Sequence, residues 1–209
     1  FVGSRGLGDV YKRQDLVRSC VEAMKASAGK IPVTVKSRIG VDDQNPEEVL
    51  PEFITKVASS GCSVFIIHAR KALLGGLSPK DNRIIPPLQY PLVYEMQNKF
   101  PELDIILNGG LTELKEIKSV LQNPLSGVMI GREAYENPSI LLKVDNEIFD
   151  QKKKIRSMKD AIRNMIEYCN REQAEGTAIK GILKHLKGAF KGQANSKEFK
   201  RLLFCNETT

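Results

Sequence analysis

The four cysteines, Cys20, Cys62, Cys169 and Cys205, form no C-x-x-C pair, so the chain carries the spacing of neither a disulfide framework nor a zinc site. They read as reduced thiols. No apolar stretch approaches the roughly 20 residues of a membrane span, and the N-terminus lacks the uninterrupted apolar core of a signal peptide. From Ile148 to the end there is no strand pattern. These absences lead to the expectation of a cytoplasmic protein with no metal, no membrane partner and a helical tail.

What is present is enough for a real core: 209 residues, 41% of them hydrophobic, suit one domain or one domain with an appendage. The formal net charge of +7 is unevenly distributed, because residues 151–209 sum to +8 and residues 1–150 to −1. Such a basic tail beside a near-neutral region suggests a module for a polyanion, most simply nucleic acid, with a solvated helical surface as the plain alternative.

The opening FVGSRGLGDVYKRQ has no clear periodicity and meets the next helix abruptly, so Phe1 to Gln14 read as a non-native leader, similar to translated adapter sequence. Regular alternation follows: a helix over Asp15 to Ser27, a strand over Ile31 to Ile39, a helix over Pro46 to Ser60 and a strand over Ser63 to Ala69. A helix around Leu88 to Phe100 then precedes the strand DIILNGG, and TELKEIKSVLQ precedes the strand GVMIGREA. Alternating helices and apolar strands predict an α/β protein with a parallel sheet. Both a doubly wound sheet and a β/α barrel satisfy the pattern, but four strands are half of the eight that a barrel needs. The tail reads as helices over Lys159 to Glu172, Thr177 to Phe190 and Ser196 to Phe204.

Each strand ends in polar or glycine residues, as a ligand site at the carboxyl face requires. VTVKSRIG places Lys36 near the end of an apolar strand, where an ammonium can sit over a cofactor; the alternative is a strand-end lysine reaching solvent. The second strand supplies His68, expected on the same side as Arg70. Asn108-Gly109-Gly110 and, one β/α unit later, Gly131-Arg132 together read as a phosphate cradle, although glycines after strands are also ordinary turn formers. In the tail, KGILKHLKGAFKG brings Lys180, Lys184 and Lys187 or Lys191 near one helical face that could follow an RNA backbone.

The ordered set VTVKSRIG, HARKALLGGLSPKDNRIIPPL, ILNGG and GVMIGREAYENP resembles the tRNA-dihydrouridine synthases of the A type, over about Asp15 to Phe204. That resemblance implies the C-terminal half of a TIM barrel over residues 15–145, followed by a small all-α tRNA-binding domain over residues 146–209. It implies FMN as cofactor, NADPH as electron donor, and reduction of the C5=C6 bond of D-loop uridines in tRNA by a monomer. By position, Lys36, His68, Asn108, Gly109, Gly110, Gly131 and Arg132 match the family's flavin-binding residues. Lys80, Arg83, Lys184 and Lys187 match positions at which it meets tRNA, with Leu73 standing where an aromatic residue is expected and Lys184 where an arginine is more usual.

The family protonates the substrate carbon with a cysteine on a loop shortly before the helix that begins here at Asp15. None of the four cysteines replaces it, so the chain is expected to be an inactive fragment. Two other functions fit the residues: an FMN barrel oxidoreductase acting on a small pyrimidine-like substrate, and a non-catalytic RNA-binding remnant.

Overall fold

A computed structural model of the chain describes residues 11, 13–152 and 157–205. They form two compact units, one comprising the chain up to Leu111 together with Ser119–Met129, the other Thr112–Lys118 with Ile130 onward.

The first unit alternates helix and strand: α1 Gln14–Ala28, β1 Val35–Arg38, α2 Pro46–Ala58, β2 Val64–His68, α3 Tyr90–Lys99, β3 Asp104–Asn108 and β4 Gly127–Met129; the helix α4, Leu114–Val120, between β3 and β4 belongs mostly to the second unit. Local chemistry sets the boundaries. Asn45 caps α2 by accepting from the Glu47 amide at 3.2 Å, Pro46 supplies a pre-set first-turn φ, and Glu47 and Glu48 complement the helix dipole. The strands form one parallel sheet in the order β1-β2-β3-β4. That order runs in a single direction, without the reversal that defines a doubly wound sheet.

Two expected strands are shorter in the structure. Ile31 to Thr34 lie outside the ladder because β2 pairs with β1 only from Val35, opposite Phe65, and Ile31 is exposed. The strand expected over GVMIGREA stops at Met129, paired with Asn108, because β3 gives way to Gly109 at φ +112°; Arg132–Glu136 is a helix, α5.

The core is apolar by alternation. Phe65, Ile67, Ile105 and Leu107 point to one face of the sheet and are buried, as are Leu50, Phe53, Ile54 and Val57 of α2. Burying each such side chain contributes about 1.5–3 kcal/mol relative to exposure, before conformational entropy is counted. The Tyr11 ring packs against Phe53, with centroids 5.0 Å apart, and its hydroxyl donates to the Arg38 carbonyl. Beside β1, Leu16, Val17, Val21 and Met24 of α1 line an apolar groove with Val33 and Val35.

The second unit continues from α5 through a 3-10 turn, Pro138–Lys143, and a short helix α6, Val144–Glu147, to α7, Met158–Ala174, which Ser157 opens with a reciprocal capping box to Asp160. The helix expected over Thr177 to Phe190 is broken into α8, Ile179–Leu183, and a 3-10 turn, Lys184–Leu186; α9 spans Ser196–Cys205. Gly188 explains part of the break: it sits so close to α5 that a Cβ there would lie 2.5 Å from the Glu136 carbonyl oxygen. Among the described residues, no helix is long and apolar enough to cross a membrane.

Candidate functional site

In the first unit, sheet register brings the expected residues into one row. Arg38 pairs with His68, His68 with Asn108 and Asn108 with Met129, at the carboxyl ends of the four strands. Lys36, Ile66, Ile106 and Gly127 form the next row on the same face, two residues earlier along each strand. Lys36, His68 and Asn108 therefore share a face with Arg38, which the sequence reading did not single out. Its signal was present: Lys-Ser-Arg places two cations at the two-residue strand period.

Arg38 is buried, with its Nη1 donating to the carbonyls of Lys71 at 3.1 Å and Asn82 at 2.9 Å. Burial, and then the nearby charges of Arg83 and Arg70, hold its guanidinium below the ordinary arginine pKa. Lys36 is solvent-exposed, yet its pKa too is lowered, by partial desolvation of the ammonium and then by Arg38. The face is therefore a zone of concentrated positive charge, suited to an anionic or electron-accepting ligand.

Asn108 is buried, and its Nδ2 donates to the Met129 carbonyl at 2.7 Å, tying β3 to β4 just before the glycine turn. Gly109 and Gly110 follow with φ of +112° and +76°. A Cβ on Gly109 would lie 3.0 Å from His68 Nε2, and the Tyr90 hydroxyl donates to the Gly109 carbonyl at 2.5 Å. Both glycines are thus required by backbone conformation and by the approach of neighbouring side chains, whatever they bind. The strand ends at His68 and the chain bends, so Arg70 does not continue the His68 face; its Nη1 donates to the Ile84 carbonyl at 3.0 Å and to that of Pro86.

Lys80 immediately precedes a 3-10 turn, Asp81–Arg83, of which Arg83 is the last residue, and both are exposed. They lie in the loop that Arg38 and Arg70 brace.

The remaining expected residues belong to the second unit. Gly131 immediately precedes α5, with φ −119° and open space around a would-be Cβ, and Arg132 is the first residue of α5 and exposed. Lys184 and Lys187 are exposed at and just after the 3-10 turn. Lys191 is instead paired with Glu133 at 3.4 Å and Glu136 at 3.7 Å, which removes it from the expected RNA-facing set. The ring of His185 meets Tyr135 edge-on, with centroids 5.7 Å apart, a packing contact.

Comparison with known proteins decides what this arrangement belongs to. The family model described as Dihydrouridine synthase (Dus) matches residues 6–209. The chain belongs to the dihydrouridine synthase family. The tRNA-dihydrouridine(20/20a) synthase of Vibrio cholerae serotype O1 is 48% identical over 188 residues, covering 90% of this chain and 57% of that protein. Its counterpart in Escherichia coli K12 is 48% identical over 192 residues, covering 91% and 55%, and that of Pasteurella multocida 44% identical over 194 residues, covering 93% and 59%. The chain thus spans a little over half the length of these relatives. A solved dihydrodipicolinate synthase from Oceanobacillus iheyensis aligns over 94% of this chain and 70% of its own, with a TM-score of 0.39 and 11% identity, too slight a likeness to carry weight.

Proposed function

We propose that this chain is part of a tRNA-dihydrouridine synthase that reduces the C5=C6 bond of D-loop uridines in tRNA, in the cytoplasm and as a monomer. The observation that carries the reading is the row of Arg38, His68 and Asn108 at the strand ends, with Lys36 beside it and the Gly109-Gly110 turn after it. The sequential parallel order and the apolar groove beside β1 support a half-barrel whose other half packs on that edge. Residues 146–209 serve in this reading as the helical tRNA-binding domain.

FMN fits these residues. Lys36 offers an exposed cation that would stabilise negative charge on a flavin, and the turn after Asn108 is built from Gly109 and Gly110, of which Gly110 is exposed. Gly131, where a Cβ would meet open space, is read as a cofactor residue from its position in the family. When bound, FMN would supply the hydride chemistry that reduces the uridine C5=C6 bond, with NADPH as the electron donor. His68 borders the flavin site, Arg132 adds a donor for the phosphate, and Lys80, Arg83, Lys184 and Lys187 grip the RNA backbone. Drawing an unpaired loop uridine out of its stack costs only a few kcal/mol, which phosphate contacts can offset. The proton for C5 comes in this reading from a cysteine, a role that the positions of Cys20, Cys62, Cys169 and Cys205 do not match.

The test joins residues 15–209 to the N-terminal part of the Vibrio cholerae relative and assays flavin absorbance and NADPH-dependent dihydrouridine formation in tRNA. Flavin retention with product supports the reading. A folded chimera that retains no flavin overturns it, as does reduction of free pyrimidines but not tRNA.

A further inference from the structure

The loop between β2 and α3 is not held by its ends alone. Asn82 and Leu73, nine residues apart, form a reciprocal pair: the Leu73 amide donates to Asn82 Oδ1 at 3.0 Å, and Asn82 Nδ2 donates back to the Leu73 carbonyl. The backbone of Asn82 is engaged as well. Its amide donates to the Ser78 carbonyl at 2.9 Å, and its carbonyl accepts from Arg38 Nη1 at 2.9 Å. Within the enclosed segment, Ser78 and Asp81 close a smaller turn, with Ser78 Oγ donating to Asp81 Oδ2 at 2.7 Å and accepting from the Asp81 amide at 3.1 Å. On the far side, the Leu74 amide donates to Asp42 Oδ1 at 2.7 Å.

We propose that Asn82 is a positioning residue, a buckle that closes the Leu73–Asn82 loop before any RNA arrives and so presents Lys80 and Arg83 in their binding arrangement. The inference rests on the reading of those two cations as RNA contacts. Its physical content is preorganisation. A polar loop of this length, rich in glycine at Gly75 and Gly76, loses conformational entropy when it is fixed. If the loop is fixed in the free protein, RNA binding does not bear that loss. Arg38 acts through the same residue, joining the buckle to β1, so the loop is referenced to the sheet face that carries Lys36 and His68. Lys80 and Arg83 themselves stay exposed, the first just before the 3-10 turn and the second its last residue.

The experiment compares the chain with Asn82→Ala and with Lys80→Ala/Arg83→Ala, measuring affinity for a D-arm RNA hairpin across a salt series. Trypsin cleavage after Lys80 and Arg83 is followed in parallel without RNA. With the buckle removed but both cations kept, the bound state makes the same phosphate contacts, so the salt slope stays constant while affinity falls about tenfold at every salt concentration. Cleavage in the loop accelerates while cleavage elsewhere does not. Removing the cations lowers the slope itself. If Asn82→Ala leaves affinity unchanged while Lys80→Ala/Arg83→Ala weakens it, the buckle is overturned and the RNA reading stands. If neither variant changes binding, the RNA reading of this loop falls. A general rise in cleavage throughout the Asn82→Ala chain marks a merely structural residue and overturns the proposal; under the proposal, Asn82→Asp, which keeps the acceptor for the Leu73 amide, recovers part of the lost affinity.

Discussion

Leu88 packs so tightly beside Gly110 that a Cβ at that glycine would lie 2.5 Å from Leu88 Cδ1, at a backbone φ of +76°. Two penalties therefore coincide in Gly110→Ala, a left-handed backbone with a side chain and overpacking against a neighbour. Together they amount to about 2–4 kcal/mol. Thermal unfolding should show a fall of roughly 5–12 °C for a chain of this size. Gly131→Ala is the informative partner, since its φ of −119° and open surroundings predict no stability change beyond about 0.5 kcal/mol. Loss of flavin from a Gly131→Ala holoenzyme with unchanged melting would separate ligand binding from folding; unchanged flavin content would remove Gly131 from the cradle.

Lys36 predicts a trade between stability and function. Its ammonium is disfavoured by partial desolvation and by Arg38, so its folded-state pKa lies below the ordinary 10.5. In the window between that lowered value and 10.5 the unfolded chain binds more protons than the folded one, so stability rises with pH there; below the window the penalty is fully present. Lys36→Met should therefore raise the melting temperature at neutral pH, and the difference from wild type should shrink as pH approaches 10.5. Because the side chain is exposed and screened, the gain should not exceed about 0.5 kcal/mol. Flavin binding by the holoenzyme should weaken in the same variant. A destabilised Lys36→Met would show that the charge is favourable where it sits.

Sheet class, strand order of appearance and most of the site row were legible from apolar periodicity and from what ends each strand. What escaped was set by partners. Ile31, Val33 and Thr34 are as strand-like as Val35, but Pro32 among them has no N–H to give a ladder, and β2 offers its first partner at Phe65. The segment after Met129 turns into a helix because the neighbouring chain leaves the sheet at Gly109. Arg38 was passed over because a single strand does not reveal that a loop returns its carbonyls from Lys71 and Asn82. Family resemblance supplied the roles of Lys80, Arg83, Lys184 and Lys187, which periodicity alone reads as surface charge.

In the second unit, Gly188 is fixed by packing. Its would-be Cβ lies 2.5 Å from the Glu136 carbonyl oxygen and 2.6 Å from that of Tyr135, both backbone atoms that cannot rotate away. Gly188→Ala should push this segment off α5 and destabilise the unit by about 1–3 kcal/mol. Gly181→Ala, with open surroundings, should be neutral or slightly stabilising by calorimetry, because Gly181 lies within α8 and alanine is the better helix former. Equal effects of the two substitutions would contradict close packing at Gly188.

Lys191 and Lys187 look alike in sequence and differ in what surrounds them. Lys191 lies within 3.4 Å of Glu133 and 3.7 Å of Glu136, so its charge is already answered by carboxylates of α5. Lys187 is exposed after the 3-10 turn, with no ion pair among the described residues. A lysine that neutralises a phosphate releases counterions when RNA binds, and each such contact contributes about 0.7 to the slope of log K against log salt for a single-stranded region. Lys187→Ala and Lys184→Ala should each lower the slope by about that amount and weaken binding regardless of RNA sequence. Lys191→Ala should leave the slope nearly unchanged and appear instead as a small loss of stability, about 0.2–1 kcal/mol, typical of an exposed ion pair. A slope that falls equally for Lys191 would mean that RNA displaces the carboxylates from it, and the basic set would then extend to α5.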